Sequence, residues 1–302
     1  MTSITIGVPT YKGAARVANL LRSIELRTPL DGVRVVLVDD GSPGDEVAET
    51  RRVAVEWKGR LPLDFYEHGG NRGISAGWNT ASRALDSETI VLVNDDVIVS
   101  RGWLEAFLYV LEKSPGVGVV GANWHAFLPE DVGGLLAGPD SDRDVIPRDP
   151  VTKAQDPSRR QYEDCGPGRV MAPCGQLFAF RRKDYDAIGG FDESYKSFYE
   201  ESCFGTSMVA RGLIGVQLSA PFNWHQWSAT FTASPELRAD QRLAESRAHY
   251  RRKWSVPDGV HEFEFTNPKY LGAIGDVPIE FLRRGGPARG VLRQDGAFVE
   301  AP

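Results

Sequence analysis

Cysteine is scarce: the 302 residues hold three, Cys165, Cys174 and Cys203, and no C-x-x-C pair. An odd count without paired spacing excludes a disulfide framework or a zinc knuckle and suits a reducing compartment. No stretch approaches the roughly 18 uninterrupted apolar residues of a bilayer-crossing helix. The start, Met1-Thr-Ser-Ile-Thr-Ile-Gly7, has no basic and apolar leader, so a cytoplasmic chain without a membrane span is expected. Basic excess is also missing. A net charge of −6 argues against a protein that coats nucleic acid along its whole surface. The first strand-to-helix junction, Val8-Pro-Thr-Tyr-Lys-Gly13, lacks G-x-G-x-x-G, and no G-x-x-x-x-G-K-[ST] occurs, which disfavours a dehydrogenase and a P-loop nucleotide hydrolase.

What is present is globular: 41% hydrophobic, 25% charged and 10% aromatic, enough for a sizeable core. Short apolar runs alternate with amphipathic stretches. Ile4–Val8, Val33–Val38, Leu63–Tyr66 and Thr89–Val93 read as strands. Between them, Ala14–Ile24 carries Val17, Leu20, Leu21 and Ile24 on one helical face, and helices are expected over Glu46–Lys58 and Ser75–Leu85. Strands separated by such helices imply βαβ crossovers, hence an α/β fold with a mostly parallel central sheet. Further on, helices are expected over Trp103–Lys113, Lys183–Ile188, Glu201–Arg211 and Glu236–Trp254, and a strand over Gln176–Phe180. Pro129 to Pro173 degrades into Gly, Pro, Asp and Arg and reads as a loop insertion near a functional site.

Ligands of open α/β sheets sit beyond the carboxyl ends of the strands, so the polar residues placed there matter. Asn94-Asp95-Asp96 follows a wholly apolar strand. Hard oxygen ligands of this type suit Mg²⁺ or Mn²⁺, which complete their shells with water and substrate phosphates, so a diphosphate ligand is indicated. A plain polar turn fits the triplet equally well. Asp39-Asp40-Gly41-Ser42 is the same arrangement one crossover earlier, suited to a base N–H or to ribose hydroxyls, though alone such a turn is more often only a turn.

The order and intervals of Pro9-Thr10-Tyr11, Asp39-Asp40-Gly41-Ser42, Asn71-Arg72-Gly73 with Asn79, Asn94-Asp95-Asp96, and Gly189-Gly190-Phe191-Asp192-Glu193 leading into Glu200-Glu201 resemble glycosyltransferase family 2 over residues 3 to 254. The resemblance implies a GT-A fold, a nucleoside-diphosphate sugar donor, a divalent metal, and inversion at the anomeric carbon. It divides the chain into a GT-A domain at 1–255, with a nucleotide-binding half at 1–100 and an acceptor half at 101–255 that carries the 129–173 insertion, and a C-terminal extension at 256–302. It puts Pro9, Thr10, Tyr11, Asp39 and Asp40 around the nucleoside, and Asn71, Arg72, Gly73 and Asn79 along the donor. Asn94-Asp95-Asp96 matches the D-x-D motif with Asn94 in the first place. Asp96 is then the metal ligand, with Asn94 and Asp95 beside the donor.

Glu200-Glu201 matches the family's E-D pair, whose second acid is the usual general base; Glu201 stands where Asp is usual, and either glutamate has the reach. Asp192 is a further catalytic candidate. His225, in Asn223-Trp-His-Gln-Trp227, matches a histidine that completes the metal shell in some relatives, while Trp224 and Trp227 are candidates to stack on a sugar. Cys174 falls at the acceptor floor and is expected to be a small buried hydrophobe. His68, His125, His249 and His261 show no partner spacing above ordinary use. Tyr250-Arg-Arg-Lys-Trp254 lies near the Q-x-x-R-W of processive polymerases but lacks its Gln and has Lys for Arg. Arg247, Arg251, Arg252 and Lys253 read as a solvated face, or else as a patch for phosphates or an anionic acceptor.

The reading is therefore a metal-dependent inverting transferase using Mn²⁺ or Mg²⁺. A sugar nucleotidyltransferase is the enzymatic alternative, although the first junction lacks its glycine-rich basic loop; a catalytically silent sugar- or nucleotide-binding module is the other. The acceptor is open among glycan, lipid-linked sugar, small molecule, protein and modified nucleic-acid base, and a homo-oligomer is left open too.

Overall fold

The computed structural model describes residues 3–141, 145–149, 152–155, 166–262, 274–283 and 285–301. Cys165 and much of the 129–173 insertion lie outside them. The first half runs β1 (Ile4–Thr10), α1 (Ala14–Arg27), β2 (Val33–Asp39), α2 (Asp45–Lys58), β3 (Leu63–Glu67), α3 (Ile74–Arg83) and β4 (Thr89–Val93). These strands pair in parallel in the order β3-β2-β1-β4.

The second half follows as β5 (Val97–Ile98), α4 (Trp103–Lys113), β6 (Val117–Ala126), α5 (Val132–Leu135), β7 (Gly168–Val170), β8 (Leu177–Arg181), α6 (Arg182–Ile188), α7 (Glu200–Val209), β9 (Ile214–His225), α8 (Ala229–Ala233) and α9 (Ala239–Lys253). It extends the same sheet as β4-β8-β6-β9-β5, with β7 also on β9. β8 is antiparallel to both neighbours and β6 is parallel to β9. The result is the mixed α/β architecture expected.

Successive strand residues point to opposite faces. Val35, Leu37, Val91 and Val93 therefore join α1, α2 and α4 in one core. Val36, Val38, Ile90 and Leu92 join Trp78 of α3, Tyr185 of α6 and Phe204 of α7 in the other. Burying the sheet on both faces leaves only its strand ends for ligands.

Three expectations change. No element was read between Pro115 and Pro129, yet β6 lies there: Val117-Gly-Val-Val-Gly-Ala122 is buried throughout and so shows no alternation. The helix expected from Glu236 starts at Ala239, because Pro235–Leu237 forms a single 3-10 turn and Arg238 adopts φ +48°. The C-terminal extension, for which the sequence predicts no element, is regular. It builds an antiparallel sheet of β10 (Val277–Arg283), β11 (Gly286–Leu292) and β12 (Phe298–Glu300). Val277, Ile279, Phe281 and Leu292 enter the core beneath α4, and Ser114 fastens the junction by receiving Glu280 N–H at 2.9 Å. No helix among the described residues is long and apolar enough to cross a membrane.

Candidate functional site

A cleft of about 350 Å³ opens at the carboxyl ends of β1, β2 and β4 and is closed on its far side by α7, α9 and the segment after β9. Pro9, Thr10, Tyr11, Asp40, Asn71 and Gly73 form one edge. Asp40, rather than Asp39, faces the cleft. Asp39 is fully buried below, where Oδ1 receives Ser42 N–H at 2.7 Å and Oδ2 has no partner among the described residues. Asp40 receives the N–H groups of Arg72 at 3.0 Å and Gly73 at 2.7 Å, and Oδ1 lies 2.7 Å from His68 Nδ1. Burial pushes its carboxyl above the ordinary value, against the pull of those donors. His68 thus anchors Asp40, a role its sequence position does not announce.

Gly73 sits at φ +97°, where a Cβ would meet the Lys196 backbone at 2.5 Å, so only glycine allows the close approach. That approach is to Lys196: Ile74 N–H donates to Lys196 O at 3.0 Å, coupling the nucleoside edge to the turn before α7. Two expected donor contacts lie outside the cleft. The Arg72 guanidinium turns outward to Glu193, 2.8 Å away. Asn79 is buried and holds the α6–α7 turn, donating to Phe191 O at 2.8 Å and accepting Phe191 N–H at 2.9 Å.

Asn94, Asp95 and Asp96 all reach the floor but do different things. Asp95 is gripped by Arg16, with both contacts at 3.1 Å, and receives the Thr10 hydroxyl at 2.5 Å. Its carboxylate is committed within the protein. Asp96 Oδ1 instead lies 3.1 Å from His225 Nε2, buried and without an aligned hydrogen-bond donor. Burial works to raise the Asp96 carboxyl, but His225 and then Arg16 outweigh it and hold it below its ordinary value. Among the described residues no three acids, histidines or cysteines gather as a closed metal cage. The donor set still fits a divalent ion: an oxygen and a nitrogen about 3 Å apart span one edge of an octahedron with bonds of about 2.1 Å, leaving four positions to water and phosphate.

Glu200 and Glu201 open α7 and line the opposite wall. Among the described residues no cation pairs with them. Burial and the charge of Glu201 drive the Glu200 carboxyl well above its ordinary value, and burial raises Glu201 as well. Glu200 Oε2 has no partner among the described residues. Glu201 packs against the backbone of Gly175, whose absent Cβ would touch its carboxyl carbon at 3.4 Å. Asp192 is remote from the cleft, held by Lys253 at 2.8 Å and His249 at 3.1 Å, which with hydrogen bonds to Ser194 drive it far below the carboxylate range despite burial. It fastens the end of α9 and is not placed to touch substrate.

The roof is strained at two points. Phe198 and Tyr199, just before the glutamates, have φ of +67° and +64°; Trp227 and Ser228, just after His225, have +48° and +59°. Consecutive left-handed non-glycine residues cost energy that only surrounding packing can hold, and they cluster at functional sites. Trp224 is fully buried, leaving no face for a sugar. Trp124 of β6 takes its place beside Trp227, 6.3 Å away, and its ring meets His225 edge-on at 4.9 Å. Cys174 is exposed at the cleft rather than buried as expected. Arg242 of α9 lines the cleft too, donating to Asn71 Oδ1 at 3.1 Å and Ser197 Oγ at 3.3 Å. Arg16, Trp124 and Arg242 escape sequence reading because each comes from an element distant in the chain and carries no motif.

The mixed sheet, with acidic residues at its strand ends and a second acidic pair across the cleft, matches the GT-A fold of glycosyltransferases. The profile of glycosyl transferase family 2 matches residues 5–189, and the chain belongs to that family. Among curated proteins it is similar to the pre-mycofactocin glycosyltransferase of Mycobacterium tuberculosis, 28% identical over 105 residues, which take in 35% of this chain and 20% of that protein. The match thus spans about a fifth of the relative's length. Among solved structures it is similar to the mannosyltransferase PcManGT from Pyrobaculum calidifontis in complex with GDP-Man and Mn²⁺, with TM-score 0.57 and 22% identity over 90% of this chain and 69% of that one. It also resembles S. aureus TarS 1-349 in complex with UDP-GlcNAc, with TM-score 0.55 and 17% identity over 90% and 71% of the two chains.

Proposed function

We propose that the chain transfers a sugar, with inversion, from a nucleoside-diphosphate sugar to an acceptor hydroxyl, with Mn²⁺ or Mg²⁺ at Asp96 and His225. One observation carries this reading: a carboxylate–imidazole pair and a pair of proton-hungry glutamates face each other across one cleft. The nucleoside lies along Pro9–Tyr11, Asp40 and Asn71, and Asn94 lies beside the diphosphate. A divalent cation bound to Asp96 and His225 supplies positive charge to the leaving diphosphate. Arg242 adds a forked cation on the same side as Asn71.

Glu201 takes the acceptor proton. Burial raises both carboxyls, and the charge of Glu201 raises Glu200 further, so the two glutamates titrate as one coupled pair. A carboxyl raised towards working pH is a stronger base than an ordinary one, and positioned bases contribute about 10²–10⁴ in rate. The complexes of the structural neighbours make GDP-Man and UDP-GlcNAc the first donors to try.

A thermal-shift series with UDP, GDP and their sugars, with and without Mn²⁺, tests the donor half, since a ligand of the folded state raises its stability as RT ln(1 + [L]/Kd). A cation-dependent rise is expected for at least one diphosphate, and its absence for all of them overturns the reading. The anomeric configuration of the product, read by NMR, tests inversion.

A further inference from the structure

Glu201 is the wall between two cavities. Behind it, away from Asp96 and His225, a second space of about 640 Å³ is bounded by Phe198, Tyr199, Glu201, Ser202, His261 and α9. Phe198 and Glu201 belong to both cavities; the remaining walls are separate. α9 contributes Asp240, Leu243, Ala244, Arg247, Ala248 and Arg251, the positions of one helical face. That face does not pack against the body of the protein: Leu243 is 42% exposed, one of few large apolar residues so open. At one end, Arg247 Nε lies 2.9 Å from the buried Glu262, while its Nη groups have no hydrogen-bond partner among the described residues and its side chain is 48% exposed. Arg251 also pairs with Glu262, at 2.6 Å, so two arginines share one carboxylate.

Resting on the transfer reading above, we infer that this second cavity receives the acceptor, and that the acceptor carries an apolar body and an anionic group beside its hydroxyl. An inverting attack needs the nucleophile on the face of the sugar opposite the leaving diphosphate, with the base next to it. A cavity that meets the donor cleft only at Phe198 and Glu201 supplies that approach. Leu243, Ala244, Ala248 and the Phe198 and Tyr199 rings are chemically suited to alkyl or aromatic surface. Arg247 offers unused planar donors matched to a carboxylate or phosphate. The basic run of α9, which reads in sequence as a solvated face, thereby acquires a substrate.

The test uses octyl β-D-glucuronide as probe, with octyl β-D-glucoside and free glucuronate as controls, and octyl phosphate to separate carboxylate from phosphate. Binding is followed by calorimetry to the full chain loaded with the nucleoside diphosphate and Mn²⁺ that stabilise it. The two octyl anions are expected to bind about tenfold more tightly than octyl glucoside, and free glucuronate to bind least. Ala248→Trp fills the space from an exposed position that the donor cleft does not use, and Arg247→Gln removes the guanidinium while Glu262 keeps its pairing with Arg251. Each is expected to weaken the octyl anions about tenfold while leaving the nucleotide-induced thermal shift unchanged. Equal binding of octyl glucoside and octyl glucuronide overturns the anionic assignment, and unchanged probe affinity in Ala248→Trp overturns the cavity. Failure of the wild-type chain to take up any diphosphate with Mn²⁺ would instead count against the transfer reading.

Discussion

Two pairs of adjacent acids face one another across the cleft, Asp95-Asp96 at the end of β4 and Glu200-Glu201 at the start of α7, and they are treated in opposite ways. Both aspartates have a partner: the Arg16 cation grips Asp95, and the His225 ring stands 3.1 Å from Asp96. The glutamates have no such partner among the described residues, only burial, each other and the backbone of their own helix turn. An acid with a fixed positive neighbour stays ionised and can anchor charge; an acid deprived of one is tuned to exchange a proton. The sequence shows two similar dyads. Their surroundings set the paired dyad apart from the one that is only buried.

Breaking the contrast at the base has the largest expected effect. Glu201→Gln removes the proton acceptor and keeps the shape, so transfer falls by about 10²–10⁴ while the nucleotide-induced thermal shift is retained. Full turnover by this variant would move the base to Glu200. The wild-type rate should climb with pH through a value above the ordinary glutamate range, because burial favours the protonated form and only the ionised form accepts the proton; a pH–rate profile checks this.

Arg16→Ala breaks the other pair by leaving Asp95 buried without its cation. Chemical denaturation should show a loss of about 3–5 kcal/mol. Asp96→Asn then sharpens the contrast within its own dyad. It should weaken cation-dependent uptake of nucleoside diphosphate about 100-fold, as titration with Mn²⁺ would show, whereas loss of Asp95 acts through stability.

The smallest effect is Glu200→Gln. A carboxyl whose value is raised on folding holds its proton more tightly in the folded state, so its contribution is fully present at low pH and is lost as pH rises from the unfolded value through the folded one. The neutral glutamine escapes that loss. Its melting temperature should exceed that of the wild type by about 2 °C at pH 8 and converge with it at pH 4.

The parallel half was legible before its coordinates. Apolar runs of strand length and one-faced helices over residues 4–93 are local signals, and each expected element there appears, the largest boundary shift being α1, which runs on from Ile24 to Arg27. The second half was read less well. β6 is buried on both faces and lacks periodicity, α9 is shortened by a left-handed Arg238, and the Gly- and Arg-rich tail becomes a sheet only because α4 offers it an apolar surface. Asp96, His225, Glu200 and Glu201 line one cleft. Arg72, Asn79 and Asp192 do not, since the guanidinium finds Glu193, the amide holds the 191 turn, and Asp192 is captured by Lys253 and His249.

The sequence by itself determined the class of fold and the rim on which polar chemistry gathers, because hydrophobic periodicity and strand-end polarity are properties of neighbouring residues. Only the tertiary structure decided which acids have a charged or ring-nitrogen partner and which have only burial, and that one glutamate lines two cavities. Those outcomes depend on burial and on partners far away in the chain, such as Arg16 for Asp95, His225 for Asp96 and Gly175 for Glu201, and no local pattern carries them.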